Sequence, residues 1–254
     1  MNKKLLLVGI VLSSLCYAIE IADLNQAVNI AGKQRMYTQR MLKDYAMVGM
    51  NNTFGNPKED LEQTIKDFDD HLQSLIAFNQ DEETAKSLKA VESEWATIKK
   101  ELTQEPKKEN VEKLQIMLDK LLKLADDSTK AFAKQTGKKS GEIINISGRQ
   151  RMLSQRMAGL YMLKVWGVED PQFKDKLDEA MKTFSSSLEI LEKYDNNTDD
   201  IKKLLANVKR SYRFFEMMNK SSQRFIPTLI YKKSNDILRD MNEITNKYTQ
   251  LNTK

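Results

Sequence analysis

The sequence predicts an all-α protein built from two tandem up-down-up-down four-helix bundles. A thirteen-residue motif occurs twice, as NIAGKQRMYTQRM at Asn29–Met41 and as NISGRQRMLSQRM at Asn145–Met157. The chain of 254 residues contains only 9 Gly and 4 Pro, and residues that favour helices are abundant. Apolar residues recur at spacings of three and four, as on one face of an α-helix. These observations favour long helices arranged in two copies of one unit.

The repeat continues beyond the motif at a constant offset of 116 residues. Aligned apolar and aromatic positions follow one another without a gap, among them Tyr45 with Tyr161, Phe68 with Phe184, Leu72 with Leu188 and Leu122 with Leu238. We therefore expect two equivalent units, residues 24–137 and 140–253. Because short loops join the predicted helices within a unit, neighbouring helices should run antiparallel.

Each unit should contain four helices. In the first unit, the helix that carries the motif should end between Gly49 and Gly55, where turn residues cluster. Pro57 opens the second helix, in the first turn where proline is favoured. A third helix follows the polar break at 79–83, and a fourth follows Pro106. The second unit repeats this plan.

In the second unit the same order of helices repeats from Pro171 onward, and Pro227 lies near the start of the last helix. The segment Gln135–Gly141 joins the units and contains two glycines. This segment is either a linker or a weak point in one long helix. The two glycines argue against an uninterrupted helix at about 1 kcal/mol each relative to alanine, but a helix supported on both sides could tolerate them. We expect a continuous or kinked helix, which would favour stacked bundles.

Residues 1–18 are typical of a cleavable secretory signal peptide, with a basic start, an apolar stretch at Leu5–Leu15 and cleavage after Ala18. Cys16 raises the alternative of a lipoprotein, which Leu15 disfavours because a small residue is usual there. Cleavage removes the only cysteine and two lysines, so the formal net charge falls from +5 to +3. We expect a soluble periplasmic protein that binds no nucleic acid.

Helical geometry separates the arginines of each motif. Successive residues advance by about 100°, so Arg35 and Arg40 lie about 140° apart and cannot face one pocket. Arg35 lies beside an apolar stripe and close to Gly32, which would let another backbone approach. Arg151 has matching surroundings that include Gly148. Because a guanidinium is a planar fork of donors suited to a flat oxyanion, we predict that Arg35 and Arg151 bind a small anion.

The other polar residues of the motif have lesser roles in this prediction. Gln39 and Gln155, one turn further along, would add amide donors to the anion. Six residues would give structural support: Asn29, Met36, Arg40, Asn145, Met152 and Arg156. In the alternative hypothesis all the arginines are structural, and the protein is a periplasmic interaction or scaffold module.

The sequence favours neither an enzyme nor a metal or cofactor site. His71 is the only histidine, it aligns with Ser187, and we expect it to be exposed on a helix. Acidic pairs such as Asp126-Asp127 diverge on a helix and need no catalytic role. The sequence has no Ser-His-Asp arrangement, HExxH motif, glycine-rich phosphate loop or Cys-x-x-Cys-His haem motif.

The motif Asn-Ile-x-Gly-x-Gln-Arg-Met-x-x-Gln-Arg-Met resembles the start of the input domain of type IV pilus methyl-accepting chemotaxis transducers (PilJ-type). It is also similar to the P-box of nitrate/nitrite sensor kinases. The resemblance implies a periplasmic four-helix bundle that binds a ligand, with nitrate or nitrite as the first candidate, and signals to a membrane-bound sensor kinase or chemoreceptor. A glutamine precedes the arginine where the nitrate sensors more often have an aliphatic residue, which favours the pilus-transducer branch.

In the nitrate sensors, the first P-box arginine of each of two subunits holds nitrate between the first helices. The resemblance implies this role for Arg35 and Arg151, with supporting positions at Ile30, Gly32, Met36, Ile146, Gly148 and Met152. The two copies could pair within one chain as a covalent pseudo-dimer. Stacked copies would instead require a homodimer with two sites, and the sequence leaves both arrangements open.

Overall fold

The computed structural model describes residues 19–137, 139–220 and 226–251, which form eight α-helices and no β-strand. The predicted signal peptide, residues 1–18, lies outside the described residues. In chain order the helices are α1 (Leu24–Gly49), α2 (Pro57–Phe78), α3 (Glu82–Leu102), α4 (Val111–Gln135), α5 (Lys139–Val165), α6 (Phe173–Glu192), α7 (Asp199–Lys220) and α8 (Pro227–Leu251). None of these helices is long and apolar enough to cross a membrane.

Local sequence signals account for the starts of the first three helices. Asp23 accepts a hydrogen bond from the backbone N–H of Gln26 at 2.8 Å and caps α1, and Asp81 caps α3 through the N–H of Thr84 at 2.8 Å. Such caps satisfy N–H groups that have no partner within the helix. Pro57 is the first residue of α2, where its missing N–H costs nothing.

The helices form two four-helix bundles, so the predicted fold class is confirmed. In the first bundle α1 packs against α2 and α4, and α3 packs against α4; α5 to α8 repeat these pairings. Aligned residues fill the two cores, as Phe68 and Phe184 illustrate, both 0% exposed. The most extensive helix contact of the molecule joins the bundles and lies between α1 and α5.

The expectation of a continuous or kinked helix between the bundles is wrong. Helix α4 ends at Gln135, and Gly137 has a φ of 61° before α5 begins at Lys139. Glycine adopts this left-handed conformation without strain, so the chain can reverse here. Helix α5 runs back along α4, with Asp126 of α4 near Arg149 of α5. The bundles therefore lie side by side rather than stacked.

The two motif helices run parallel with aligned positions facing each other. Gly32 and Gly148, which align, lie against the same pair of guanidinium groups, and Gly159 lies 3.6 Å from the backbone of Lys43, its aligned residue, measured from an ideal Cβ. The chain thus forms an internal pseudo-dimer about an axis between α1 and α5. Of the two arrangements left open by the sequence, this is pairing within one chain.

His71 is buried, so the prediction of an exposed histidine is wrong. Its side chain is 4% exposed, and its ring centroid lies 5.3 Å from that of Tyr37. Burial, together with the charges of Lys33 and Arg151, lowers the pKa of His71 to about 3. The histidine is therefore a neutral core residue at physiological pH.

Candidate functional site

The candidate site lies where α1 and α5 approach each other at Gly32 and Gly148. The Nη2 atoms of Arg35 and Arg151 both lie within 3.3 Å of the position that a Cβ would occupy on either glycine. A side chain at either position would press on both guanidinium groups. The two glycines therefore provide the space in which the arginines meet, and Arg35 and Arg151 are called the arginine pair below.

Both arginines are 0% exposed, and each reaches an asparagine of the other copy. Arg35 donates from Nη1 to Oδ1 of Asn145 at 2.8 Å and from Nη2 to the backbone oxygen of Asn145 at 3.2 Å. Arg151 makes the same two bonds to Asn29, at 2.8 Å and 3.1 Å. The site therefore has pseudo-twofold symmetry, and neither copy could build it alone.

The halves of the site differ where the last helix of each copy contacts the arginine. Arg35 Nη1 also donates to Oδ1 of Asp126 in α4 at 2.6 Å. The aligned residue in α8 is Asn242, whose Oδ1 accepts from Arg151 Nη1 at 3.2 Å. The two guanidinium groups and the partly exposed carboxylate of Asp126 together carry one positive charge, and the charge of Lys33 interacts with that of Arg151.

The electrostatics of the pair reflect this difference. Burial and the charge of Arg35 lower the pKa of Arg151 to about 9, so the side chain stays protonated at neutral pH. Burial also lowers the pKa of Arg35, whereas Asp126 raises it. Within the described part of the chain, neither Nε–H has a hydrogen-bond partner. A buried cation with unused donors costs free energy that a bound anion would offset.

The amides of Gln39 and Gln155 lie further along the interface with partners of their own. Gln39 donates to Asp119 Oδ1 at 3.4 Å, and its Oε1 accepts from Arg156 Nη1 at 3.3 Å. The Oε1 of Gln155 accepts from Lys43 Nζ at 2.9 Å. Neither amide has a hydrogen bond to the arginine pair among the residues that the structure describes.

The second arginine of each motif forms ion pairs away from the arginine pair. Arg40 Nη2 lies 2.8 Å from Oδ2 of Asp60 in α2 and so links two helices of the first bundle. Arg156 Nη1 lies 2.6 Å from Oδ1 of Asp119 in α4, which links the two bundles. The two aligned arginines therefore make different connections. Met36 and Met152 belong to the hydrophobic core.

A second buried polar cluster lies along the same interface at Lys43 and Asp44, both 0% exposed. Lys43 Nζ donates to Gln155 and to Asn235, each at 2.9 Å, and lies 4.1 Å from the ring centroid of Tyr231. Burial raises the pKa of Asp44 to about 6 and lowers the pKa of Lys43 to about 8. This cluster exists in the first copy only, because Gly159 aligns with Lys43.

Nothing in the sequence alone assigns Asp126, Asn29 or Asn145 a contact with the arginine pair. Asp126 belongs to one of several acidic pairs without a predicted role, and the motif asparagines are predicted only to give structural support. The available signal is the alignment at offset 116, which places Asp126 opposite Asn242. Among the described residues, no group of three or more His, Cys, Asp or Glu side chains could hold a metal ion.

Comparison with protein families identifies the unit. The model of the PilJ family, described as Type IV pili methyl-accepting chemotaxis transducer N-term, matches residues 22–122 and 132–221, which is more than half of the chain. The chain belongs to the PilJ family. No curated protein and no solved structure matches it significantly.

PilJ domains are sensory input domains of chemotaxis transducers and are not catalytic domains. Each of the two matched segments contains one copy of the motif, so this PilJ-family chain carries the input domain in tandem. Arg35 lies in the first matched segment and Arg151 in the second. The candidate site thus lies between two PilJ segments of one chain.

Proposed function

We propose that this protein is a periplasmic sensory module that binds one small anion between Arg35 and Arg151 and signals to a membrane-bound chemoreceptor or sensor kinase. The observation that carries the proposal is the buried arginine pair, with one uncompensated positive charge and an unused Nε–H on each guanidinium. The proposal takes residues 24–137 and 140–253 as the repeat units and residues 1–18 as a cleavable signal peptide.

Nitrate or nitrite is the ligand that we propose first. Both are small planar oxyanions, and a guanidinium presents its N–H groups in one plane at matching spacing. The similarity of the motif to the P-box of nitrate sensors favours the same choice. Because both arginines come from one chain, the proposed site needs no homodimer.

Anion binding would act on the contact between α1 and α5. The buried guanidinium groups repel each other, and a negative charge between them would replace this repulsion by attraction on both sides. The ligand would therefore favour whichever packing of the two helices brings the arginines closest to it. A receptor in contact with the bundles would read that change in packing.

Isothermal titration of the protein lacking residues 1–18 with nitrate and nitrite tests the proposal. We expect binding of one anion, and a loss of affinity of at least about a hundredfold when Arg35 and Arg151 are both changed to Ala. Arg40→Ala is the matched control, because Arg40 lies on the same helix as Arg35 but pairs with Asp60. This variant should bind the anion with the affinity of the wild type. If neither anion gives a heat of binding, or if binding persists after Arg35 and Arg151 are both changed to Ala, the proposal is wrong.

The hydrogen bonds from each arginine to the asparagine of the other copy favour one alternative, a non-catalytic interaction module whose arginines are structural. In that case the double change lowers the melting temperature equally with and without anion. Pull-down from periplasm would then recover the same partner regardless of ligand.

A further inference from the structure

We infer that Asp126 is a specificity-determining residue that makes the arginine pair accept a monovalent anion in preference to a divalent one, an inference that rests on the function proposed above. The carboxylate of Asp126 lies 2.6 Å from Arg35 Nη1 and neutralises one of the two buried guanidinium charges. Arg35, Arg151 and Asp126 together therefore carry a single positive charge.

Burial makes this charge balance decisive for affinity. Charges in a protein interior interact several times more strongly than charges in water. A nitrate ion would bring the buried cluster to neutrality, whereas sulfate would leave an unpaired negative charge beside Asp126. Burying a charge without a partner is costly, so the dianion should bind more weakly.

The other charges near Asp126 are on the solvent side. Lys130 Nζ lies 2.6 Å from Oδ2 of Asp126, and Arg149 Nη2 lies 3.8 Å from Oδ1, but their side chains are 55% and 33% exposed. Water and salt screen exposed charges efficiently. Arg149 still acts on Arg35 through its charge, and Lys33 interacts with Arg151, but these partly exposed cations contribute less than the two fully buried guanidinium groups.

Asp126 also lines a surface groove. The groove lies between α4, α5 and α6, has a volume of about 360 Å³, and includes Lys123, Arg149 and Arg156 in its lining. The lining also includes Lys176 and the acidic residues Asp119 and Glu179. Among these lining residues, Asp126 is the one that forms an ion pair with Arg35.

The second copy provides a natural comparison for this position. Asn242 Oδ1 accepts a hydrogen bond from Arg151 Nη1 at 3.2 Å, where Asp126 Oδ1 accepts one from Arg35 Nη1 at 2.6 Å, but Asn242 carries no charge. Aspartate and asparagine have almost the same size and shape. The fold thus accommodates either residue beside a buried arginine, and exchanging them should change the charge of the site with little change in packing.

Titrations with nitrate and with sulfate at constant ionic strength test the inference on four proteins, namely the wild type, Asp126→Asn, Asn242→Asp and the double exchange. Asp126→Asn raises the charge of the pair, and we expect sulfate to bind at least about tenfold more tightly. Asn242→Asp cancels the charge, and nitrate should bind at least about tenfold more weakly. The double exchange restores the charge and should restore the preference for nitrate.

Asp119→Asn is the control, because Asp119 lines the same groove but pairs with Arg156; the ratio of nitrate to sulfate affinity should stay within about twofold. If the wild type binds nitrate and both single exchanges have the same ratio of nitrate to sulfate affinity as the wild type, the inference is wrong and the proposed function still stands. A wild type that binds neither anion would instead overturn the proposed function, and the inference with it. Thermal denaturation checks that each variant is folded. If Asp126→Asn is unfolded, Asn242→Asp alone tests the inference.

Discussion

At the scale of single residues, the site depends on two positions that carry no side chain. Gly32 and Gly148 face each other across the α1–α5 contact, and both guanidinium groups occupy the space that side chains there would fill. A glycine in a helix interior costs about 1 kcal/mol relative to alanine. Both copies nevertheless have glycine at this position, which is expected if the position of the arginines matters more than helix stability.

Gly32→Ala should therefore weaken anion binding without unfolding the protein. The new Cβ would lie 3.2 Å from Nη2 of Arg151 and 3.3 Å from Nη2 of Arg35, so both guanidinium groups must shift. We expect a loss of nitrate affinity of at least about tenfold, while the gain in helix propensity offsets part of the packing cost. Titration and thermal denaturation of the same sample measure both effects.

Gly159→Ala is the matched control for this prediction. It lies on the same interface, but a Cβ there would meet its nearest atoms at 3.6 Å, an ordinary contact distance. This variant should gain up to about 1 kcal/mol of stability and bind nitrate as the wild type does. Equal losses of affinity in Gly32→Ala and Gly159→Ala would show that any added methyl group disturbs the interface.

At the scale of helices, the break after α4 decides how the two bundles meet. The sequence predicted the helices themselves well, since prolines and capping residues mark several starts and apolar stripes mark the buried faces. It did not predict the break at Gly137. The helix penalty of two glycines is too small to choose between a kink and a reversal. The reversal accompanies the contact between α1 and α5, which are far apart in sequence, so local sequence signals do not reveal it.

Gly137→Ala should destabilise the protein by about 1 kcal/mol, because its φ of 61° is strained for a residue with a Cβ. Chain neighbours aside, no atom of the described residues lies within 4 Å of that Cβ position, so the expected cost arises from the backbone conformation. Asn tolerates this conformation better than Ala, and Gly137→Asn should therefore lose less stability. Urea unfolding measures both variants, and equal stability of Gly137→Ala and wild type would contradict a left-handed Gly137.

At the scale of the whole molecule, one chain contains what two subunits would otherwise provide. Each copy supplies one arginine and one asparagine to the site, and the reciprocal bonds between Arg35 and Asn145 and between Arg151 and Asn29 join them. The repeat and the choice of Arg35 over Arg40 followed from spacing and helical geometry. The participation of Asp126 did not, because it depends on which helix packs behind each arginine.

We expect nitrate titrations to give one site per chain, with an affinity that does not depend on protein concentration. Both arginines belong to the same chain, so dilution cannot separate them, whereas a site between subunits would weaken as the subunits dissociate. Titrations over a hundredfold range of protein concentration, with sedimentation of the same samples, test this. A stoichiometry of one anion per two chains would contradict it.

Because the two bundles lie side by side in one chain, the net charge at the axis between them can be an odd number. In a dimer of identical subunits every charged residue at the axis appears twice, so the charge there is an even number. Two arginines would carry +2, or 0 with a carboxylate on each side. Asp126 opposite Asn242 gives the odd value that such symmetry forbids, and Lys43 opposite Gly159 places one bulky residue where two would collide. Covalent fusion thus frees the two halves of an interface to diverge.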